Sequence, residues 1–360
     1  MSAAAPLLIQ AAPPSWRSRL NPAYLPLVAT LLVLAVLFIV GGAQYDRFLS
    51  VKTFSNLLVD SSFLAVAAIG ATIVILSGGI DLSIGAVVAF TSILMAKLIE
   101  PSIGAGMHPV SAALIALAIG TAFGAFLGTL IALYDLPPFM VTLSGMFLAR
   151  AMAFVVHESS LGVNHPFFNE TLANLAWHVS DSPGRVSRSG RVGPPIPIYV
   201  QPTAMLMLAM FVLATVLMHL TSFGRNVYAI GGDEHSATLL GVRVRRVKIA
   251  VYALSGFLSA LAGVIATVYN SSGDPAAFYG LELDAIAAVV IGGTLLTGGR
   301  GFVIGTLLGV LLLGLIQTFI TFNGKLRQED TRMFIAGLML AFILMQGGFN
   351  AFGKWLGRAA

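Results

Sequence analysis

The residue types that most often carry enzymatic chemistry are absent from this chain or badly spaced for it. The 360 residues include no cysteine, which removes thiolate nucleophiles, thiolate metal ligands and disulfides. The six histidines are scattered, without the short spacings of a metal site. Nucleophile-elbow, dinucleotide-binding and zinc-protease motifs are missing as well. We therefore expect no catalytic residue, no metal site and no cofactor bound by this chain.

One segment resembles part of a nucleotide-binding loop. Residues Gly348 to Lys354 read GFNAFGK, which matches the first part of a P-loop. Trp355 stands where a Ser or Thr would bind Mg²⁺, and an apolar segment rather than a strand precedes the match. We therefore do not expect this chain to bind ATP itself.

Composition indicates the solvent in which the chain folds. It is 57% hydrophobic and 10% charged, with a mean hydropathy of +0.91, whereas soluble domains hold about 25% charged residues. This excludes an ordinary soluble protein. The net charge of +5 does not indicate nucleic-acid binding, because the basic residues lie between apolar runs and form no basic stripe interleaved with aromatic residues.

A bilayer core of about 30 Å requires roughly 20 apolar residues per helical span. Unpaired backbone groups are not tolerated in lipid, and segments this long and continuous favour helices over barrel strands. The sequence predicts an all-α membrane protein, a polytopic bundle of about ten transmembrane helices. The predicted spans are 24–42, 54–77, 82–99, 110–134, 139–156, 199–220, 249–270, 283–297, 302–322 and 333–347.

Basic residues close to a span orient the bundle. Arg243, Arg245, Arg246 and Lys248 immediately precede a predicted span, which places the loop 221–248 in the cytoplasm. The loop 157–198 is then external. We expect a cytoplasmic N-terminal tail over 1–23, one transmembrane domain over 24–349 whose first span is retained, and a C-terminal tail over 350–360.

Small residues recur every four positions in three spans. That spacing lines one helix face and lets two backbones approach closely, which is a means of packing helices in lipid. We therefore assign these residues to helix packing and not to ligand binding. They are Gly120, Gly124 and Gly128; Gly301, Gly305 and Gly309; and Ser255, Ser259 and Gly263.

Three ionisable residues, Asp60, Arg150 and Asp284, lie in or near spans. A secondary transporter uses such groups to carry protons or ions, so a proton-coupled transporter stays open as an alternative. Arg150 is expected either to face the bundle interior or to extend to the outer interface. Aromatic residues such as Trp177, Tyr269 and Tyr279 fit the interfacial belt of a membrane protein as well as a ligand site.

The motif GGIDLS, from Gly78 and Gly79 through Asp81 to Ser83, lies between two spans. Paired glycines allow a tight turn, and Asp81 can cap the next helix. A second GG loop at Gly298 carries Arg300 in nearly the matching position. We consider an Asp81–Arg300 contact as a hypothesis beside simple helix capping.

The cytoplasmic segment 223–242 contains a second motif. Asp233 is a good N-cap residue, Glu234 favours the positive end of a helix, and Gly241 ends the turn. The pattern predicts a short helix that faces the cytosol and can insert into a partner's groove. An ordinary structured loop is the alternative.

These motifs, GGIDLSIG over 78–85, GRNVYAIGG over 224–232 and ELDAIAAVVIGG over 282–293, resemble the ribose, xylose and galactose permease family of bacterial ABC importers. The resemblance runs from about residue 54 to 346. Within that family, three shorter segments look like a galactofuranose importer permease. They are NHP at 164–166, LAW at 175–177 and VVIGGTLL at 289–296.

The resemblance implies a multi-pass permease of the inner membrane that is not an enzyme. Its implied partners are a second permease, identical or different, a cytoplasmic ATPase that uses ATP and Mg²⁺, a periplasmic sugar-binding protein and membrane lipid, but no nucleic acid. It implies a coupling helix that docks on the ATPase through Gly224, Ala229, Gly231, Asp233, Ala237, Leu240 and Gly241. Gly78, Gly79, Asp81, Ser83, Glu282 and Asp284 fall on family motifs without an assigned role.

The expected function is therefore ATP-driven import of a monosaccharide, galactofuranose or a related sugar. An ABC permease for another small polar solute remains open beside the proton-coupled transporter.

Overall fold

The computed structural model describes residues 25–182, 195–324, 333–342 and 344. Those residues fold into a helix bundle with two small two-stranded β-sheets. The P-loop-like segment at 348–354, the tail 1–23 and the tail 350–360 lie outside the described residues. The first six helices are α1 (Leu25–Gln44), α2 (Val51–Asp60), α3 (Ser62–Leu76), α4 (Ile84–Ile99), α5 (Pro109–Leu133) and α6 (Pro138–Val156).

The second half of the chain contains a short region of mixed structure and then the remaining helices. The short elements are β1 (Leu161–Gly162), a π-turn (Phe167–Thr171), α7 (Leu172–Asn174), β2 (Trp177–Ser182), β3 (Ile196–Val200) and β4 (Ser272–Gly273). The helices are α8 (Pro202–Leu220), α9 (Ser222–Gly232), α10 (Glu234–Leu239), α11 (Val244–Asn270), α12 (Leu281–Ile291), α13 (Val303–Asn323) and α14 (Met333–Phe342).

The polytopic all-α prediction is confirmed, but the count of ten spans is not. Among the described residues, six helices are long and apolar enough to cross a membrane, and a seventh span results if α2 and α3 count as one. Those two helices meet at Ser61 with a bend of 52°. The helices α4 and α14 are shorter, and α12 has only 11 residues. At about 1.5 Å per residue, 11 residues span roughly half of the hydrocarbon core.

Two predicted spans are shorter helices preceded by extended chain. After α3, residues 77–83 run back along α11, where Ser255 Oγ donates to Asp81 Oδ2 at 2.7 Å, and only then does α4 begin. After α11, Gly273 lies against Ser92 and Ile93, whereas Phe278 and Glu282 approach Gly85 near the start of α4. The starts of α4 and α12 therefore meet inside the bundle. Hydropathy cannot reveal this arrangement, because it reports the polarity of a segment and not the depth at which its helix begins.

The central helix α11 packs against α3, α4 and α5. Gly120, Gly124 and Gly128 on α5 all face it, and a methyl group at Gly124 would collide with the backbone of Tyr252 and Gly256. On α13, Gly305 lies against Gly292 and Gly309 against Ala288, whereas Gly301 precedes that helix beside Thr294. These close approaches hold the bundle together where side chains would not fit.

The end of the bundle opposite α9 and α10 carries the β-structure. The strands β2 and β3 form an antiparallel hairpin in the predicted external loop, with a bulge between His178 and Ser180. The short strands β1 and β4 pair as well, which ties the end of α6 to the end of α11. Strand pairing in this loop is a feature that the hydropathy pattern did not predict.

Candidate functional site: the coupling end of the bundle

The predicted coupling segment forms two helices at one end of the bundle, which we call the coupling end. The first, α9, follows α8 directly, with Thr221 as its N-cap residue. Asp233 then adopts an extended conformation and starts α10, where its carboxylate accepts hydrogen bonds from the backbone of His235 at 3.2 Å and of Ser236 at 3.3 Å. Gly241 ends α10 with a φ of +82°, a conformation that favours glycine. The capping prediction is confirmed, but the segment is two helices, not one.

Two leucines project from the coupling end. Leu239 is 76% exposed and Leu240 is 81% exposed, whereas Ala237 on the same turn is buried. On α9, Val227 and Ile230 are also buried against the bundle. Buried residues thus hold the two helices in place, while a pair of apolar side chains stands in solvent next to exposed basic residues of α11.

Polar contacts fix this segment to its neighbours. Lys248 on α11 forms an ion pair of 2.7 Å with Glu234. The Tyr228 hydroxyl donates to the carbonyl of Gly301 at 2.8 Å, and burial raises the pKa of Tyr228 to about 12, so it stays a neutral donor at physiological pH. The helix α10 is therefore attached to α11, and α9 is attached to the loop that leads into α13.

The Asp233 cap gives a prediction for α10. Replacing Asp233 with Ala removes the acceptor for two backbone N–H groups, so we expect α10 to fray and association with a cytoplasmic partner to weaken. Asp233→Asn retains a capping oxygen and is the matched control. Pull-down of the partner measures both variants, and equal losses would contradict the capping explanation.

The hydrogen bond from Ser236, with those from the backbone, lowers the pKa of Asp233 below its ordinary value. A depressed carboxyl pKa stabilises the fold above the unfolded-state pKa, and this is lost only as pH falls through the lower folded value. We therefore expect partner association to be independent of Asp233 titration between about pH 5 and about pH 8.

Five glycines from three distant parts of the sequence meet at the end of α9. We call this contact the glycine junction; it consists of Gly78, Gly231, Gly232, Gly298 and Gly299. The backbone N–H of Gly299 donates to the carbonyl of Leu76 at 3.0 Å. A methyl group at Gly298 would lie 2.8 Å from Gly78 Cα and 3.0 Å from the carbonyl oxygen of Gly231. The end of α9 therefore contacts the loop after α3 and the loop before α13 directly, backbone to backbone.

The two glycines at the end of α9 differ in what surrounds them. A methyl group at Gly231 would collide with the carbonyl of Leu76 and come within 2.6 Å of the N atom of Gly299, whereas one at Gly232 would meet nothing within 4 Å. Gly298 also has a φ of +85°, which side chains rarely adopt. The junction leaves no space for a side chain at Gly231.

Asp81 lies inside the bundle and does not contact Arg300. Its Oδ1 accepts hydrogen bonds from the Ser83 backbone at 2.9 Å and the Ser83 hydroxyl at 2.6 Å, and its Oδ2 accepts one from Ser255. Arg300 is exposed, and no ion pair joins these two residues in the described part of the chain. The Asp81–Arg300 hypothesis is wrong, because the chain turns inward after Gly79; the two GG loops meet through glycines instead.

This arrangement predicts a stability loss at Asp81. In Asp81→Leu the buried hydroxyls of Ser83 and Ser255 lose their acceptor, and a buried unsatisfied group costs about 1–3 kcal/mol. Asp81→Asn keeps one acceptor oxygen and should lose less. Thermal unfolding of the purified chain in detergent measures this; equal stability of both variants and the parent would show that Asp81 does not anchor the segment 77–83.

Arg150 faces the bundle interior and holds the extended segment before α12. Its guanidinium donates to the carbonyls of Pro275 at 2.9 Å and Ala277 at 2.6 Å, and it lies 4.0 Å from the centre of the Tyr279 ring. Of the two orientations that the sequence left open, the structure shows the inward one. Arg150 thus has a positioning role that no sequence motif indicated.

The two motif carboxylates on α12 face different surroundings. Glu282 lies beside Gly85, and its Oε2 has no hydrogen-bond partner among the described residues. Asp284 instead lines a cavity with Asp60 and Tyr269 at the opposite end of the bundle. Glu282 and Asp284 therefore lie away from the coupling residues, although both sets of residues fall on motifs of the same permease family.

Comparison with known proteins identifies the family. A family model described as branched-chain amino acid transport system / permease component matches residues 53–344. That range covers most of the chain and includes the glycine junction, α9 and α10. The chain belongs to this permease family. It is a transport component, not an enzyme, and a multi-pass protein of the inner membrane.

Curated relatives cover nearly the whole permease. It is 44% identical over 326 residues to the inner membrane ABC transporter permease protein YjfF of Escherichia coli, covering 91% of this chain and 93% of the relative. The fructose import permease protein FruG of Bifidobacterium longum is 34% identical, with 93% and 94% covered. The ribose import permease protein RbsC of Escherichia coli is 36% identical, with 86% and 90% covered. No solved structure matches.

Proposed function

We propose that this permease is the membrane subunit of an ATP-driven importer that carries a monosaccharide, galactofuranose or a related sugar, into the cell. The sugar assignment is supported by relatives whose names specify ribose and fructose import. The galactofuranose assignment rests on the segments NHP, LAW and VVIGGTLL quoted above. The energy assignment rests on one structural observation: a rigidly held pair of exposed leucines at the end of the bundle marked by basic residues.

The proposed partner at this end is a cytoplasmic ATPase. Leu239 and Leu240 supply apolar anchors that gain stability only when a partner's groove covers them. The exposed Arg243, Arg245 and Arg246 beside them fit an acidic rim on that partner or the headgroups of the membrane. ATP and Mg²⁺ would bind the ATPase and not this chain.

The glycine junction would let movements of the docked ATPase reach the membrane-spanning helices. Movement of α9 would be transmitted through Gly231 to the end of α3 and to the loop before α13, because the backbones of these segments are in direct contact. Both of these segments lead into the helices that surround α12. ATP binding and hydrolysis would then switch the bundle between outward-facing and inward-facing states.

A second permease is the proposed partner within the membrane, and lipid covers the remaining surface. Large apolar side chains of α5, α6 and α8 are exposed along most of each helix, which gives the chain more apolar surface than a lone soluble protein tolerates. The second permease is identical or different. A periplasmic sugar-binding protein would deliver the sugar at the opposite end, where the β2–β3 hairpin lies.

Three of the ionisable residues in the bundle have structural partners, which weakens the proton-coupled alternative. Arg150 binds two carbonyls, Asp81 binds two serines, and Asp60 accepts a hydrogen bond of 2.9 Å from Tyr269. Each of these contacts holds neighbouring segments together. A chain of freely titrating groups across the bundle is not seen among the described residues.

Competition for uptake tests the sugar. Cells that contain the permease with its cognate ATPase and binding protein should take up labelled galactose in its furanose form, and unlabelled ribose and fructose should compete poorly. A strain with the hydrolysis-deficient ATPase is the control for other uptake routes. Strong competition by ribose or fructose, with none by galactose, would contradict the galactofuranose assignment while leaving sugar import intact.

A further inference from the structure

A cavity of about 670 Å³ opens at the end of the bundle opposite the coupling end. Its walls come from α2 and α13, and its floor comes from the start of α3, the end of α11 and the start of α12. This volume is within the range of about 300–1,000 Å³ for small-molecule sites. We call it the outer polar cavity; its polar lining includes Lys52, Asn56, Asp60, Tyr269, Asp284 and Gln317.

The polar residues on its walls lie along one face of each helix. Lys52, Asn56 and Asp60 recur every four residues on α2, and all three are exposed. Gln317 and Thr321 repeat the same spacing on α13 and are exposed as well. Contact between a polar helix face and lipid is energetically costly, so these faces are in contact with water or a polar ligand. The exposed apolar faces of α5, α6 and α8 show the contrast within the same chain.

The floor combines an aromatic cluster with hydrogen-bonding groups. Phe63 and Tyr269 line the cavity with their ring centroids 6.0 Å apart, and Phe278, which is not among the lining residues, lies 5.7 Å from Phe63. The Tyr269 hydroxyl is held by Asp60, and Asp284 on the first turn of α12 lines the same cavity. A monosaccharide presents hydroxyl groups at its edge and C–H groups on its faces. Amides and carboxylates can hydrogen-bond the hydroxyl groups, and aromatic rings can pack on the C–H groups.

Position supports the same ligand. From Lys52 to Asp60 the cavity wall follows eight residues of helix, about 12 Å, and ends where the half-length helix α12 begins. In many transporters, substrates bind where spans are interrupted. Here the bend of 52° at Ser61 and the start of α12 interrupt two neighbouring spans at the cavity floor.

We infer that the outer polar cavity is a subsite for a neutral monosaccharide in the permease itself, at which the sugar rests after leaving its binding protein. This inference rests on the proposed function and extends it, because it assigns sugar contacts to this chain and not to the binding protein alone. Asn56 and Gln317 contact the hydroxyl groups, and Phe63 and Tyr269 pack on the ring.

The absence of cysteine makes thiol labelling a direct test. Asn56→Cys and Gln317→Cys are made separately in the permease of the complete transporter with ATPase and binding protein, in proteoliposomes. A charged, water-soluble methanethiosulfonate is added from the binding-protein side. Val212→Cys is the control, because Val212 is 63% exposed on the apolar face of α8. Thr321→Cys is a second probe if either cavity variant fails to assemble.

We expect the cavity thiols to react and the Val212→Cys thiol not to react. Galactose with the binding protein should slow the cavity reaction about twofold when half of the subsites are occupied. Unreactive cavity thiols, or reactive thiols that sodium protects and galactose does not, would overturn the inference. ATP-driven uptake by the unsubstituted complex is measured in parallel. Failure of that uptake refutes the proposed function instead, so the two failures are distinguishable.

Discussion

Gly231→Val should abolish coupling between ATP hydrolysis and transport, whereas Gly232→Val should leave it nearly intact. The two glycines are neighbours on α9, but only Gly231 lies against the backbone of Leu76 and Gly299. Backbone atoms cannot rotate away as a flexible side chain can, so the glycine junction must open. Overpacking of this kind costs about 1–3 kcal/mol. That energy corresponds to about a 5- to 150-fold shift between coupled and separated arrangements.

The measurement compares sugar uptake with ATP hydrolysis in the same proteoliposomes. For Gly231→Val we expect the ATPase still to bind and hydrolyse ATP while uptake falls. Because Gly232 is also a glycine in the last turn of α9, its substitution controls for helix propensity and for loss of a glycine. Equal uptake by the two variants would show that the glycine junction does not transmit the movement.

Leu239→Asp combined with Leu240→Asp should release the ATPase from the permease. Both side chains are largely exposed in this chain, so the substitutions should change its own free energy of unfolding by no more than about 0.5 kcal/mol. In the complex they would place two carboxylates in an apolar contact. Loss of a central anchor costs about 2 kcal/mol or more. A loss of that size weakens binding roughly 30-fold.

Co-purification of the ATPase with tagged permease measures the effect. Leu175→Asp is the control, since Leu175 is 60% exposed at the opposite end of the bundle and receives the same chemical change. Retention of the ATPase by the double variant, with normal uptake, would remove these leucines from the docking surface.

The sequence predicted the elements of this permease better than their contacts. Long apolar runs such as α5 and α13 could be predicted because 20 or more apolar residues in succession have few alternatives to a membrane helix. The segments around α4 and α12 could not, because hydropathy reports the polarity of a segment and not the depth at which its helix begins. The predicted number of spans therefore depended on backbone conformations that hydropathy does not report.

The candidate site shows the same division. Asp233 and Gly241 were identifiable because capping depends on local sequence. The glycine junction was not, because it joins residues more than 60 positions apart through backbone atoms that carry no side-chain signal. Arg150 was flagged as an ionisable residue in a span, but its acceptors are main-chain carbonyls, which every residue possesses.

The energy source is the central claim, and uptake by the reconstituted transporter tests it most directly. Proteoliposomes receive sugar-loaded binding protein on one side and ATP with Mg²⁺ on the ATPase side. We predict that uptake requires ATP, stops with a hydrolysis-deficient ATPase, and is insensitive to an imposed proton gradient. Uptake that persists with the hydrolysis-deficient ATPase and follows the proton gradient would contradict the assignment of this permease to an ATP-driven importer.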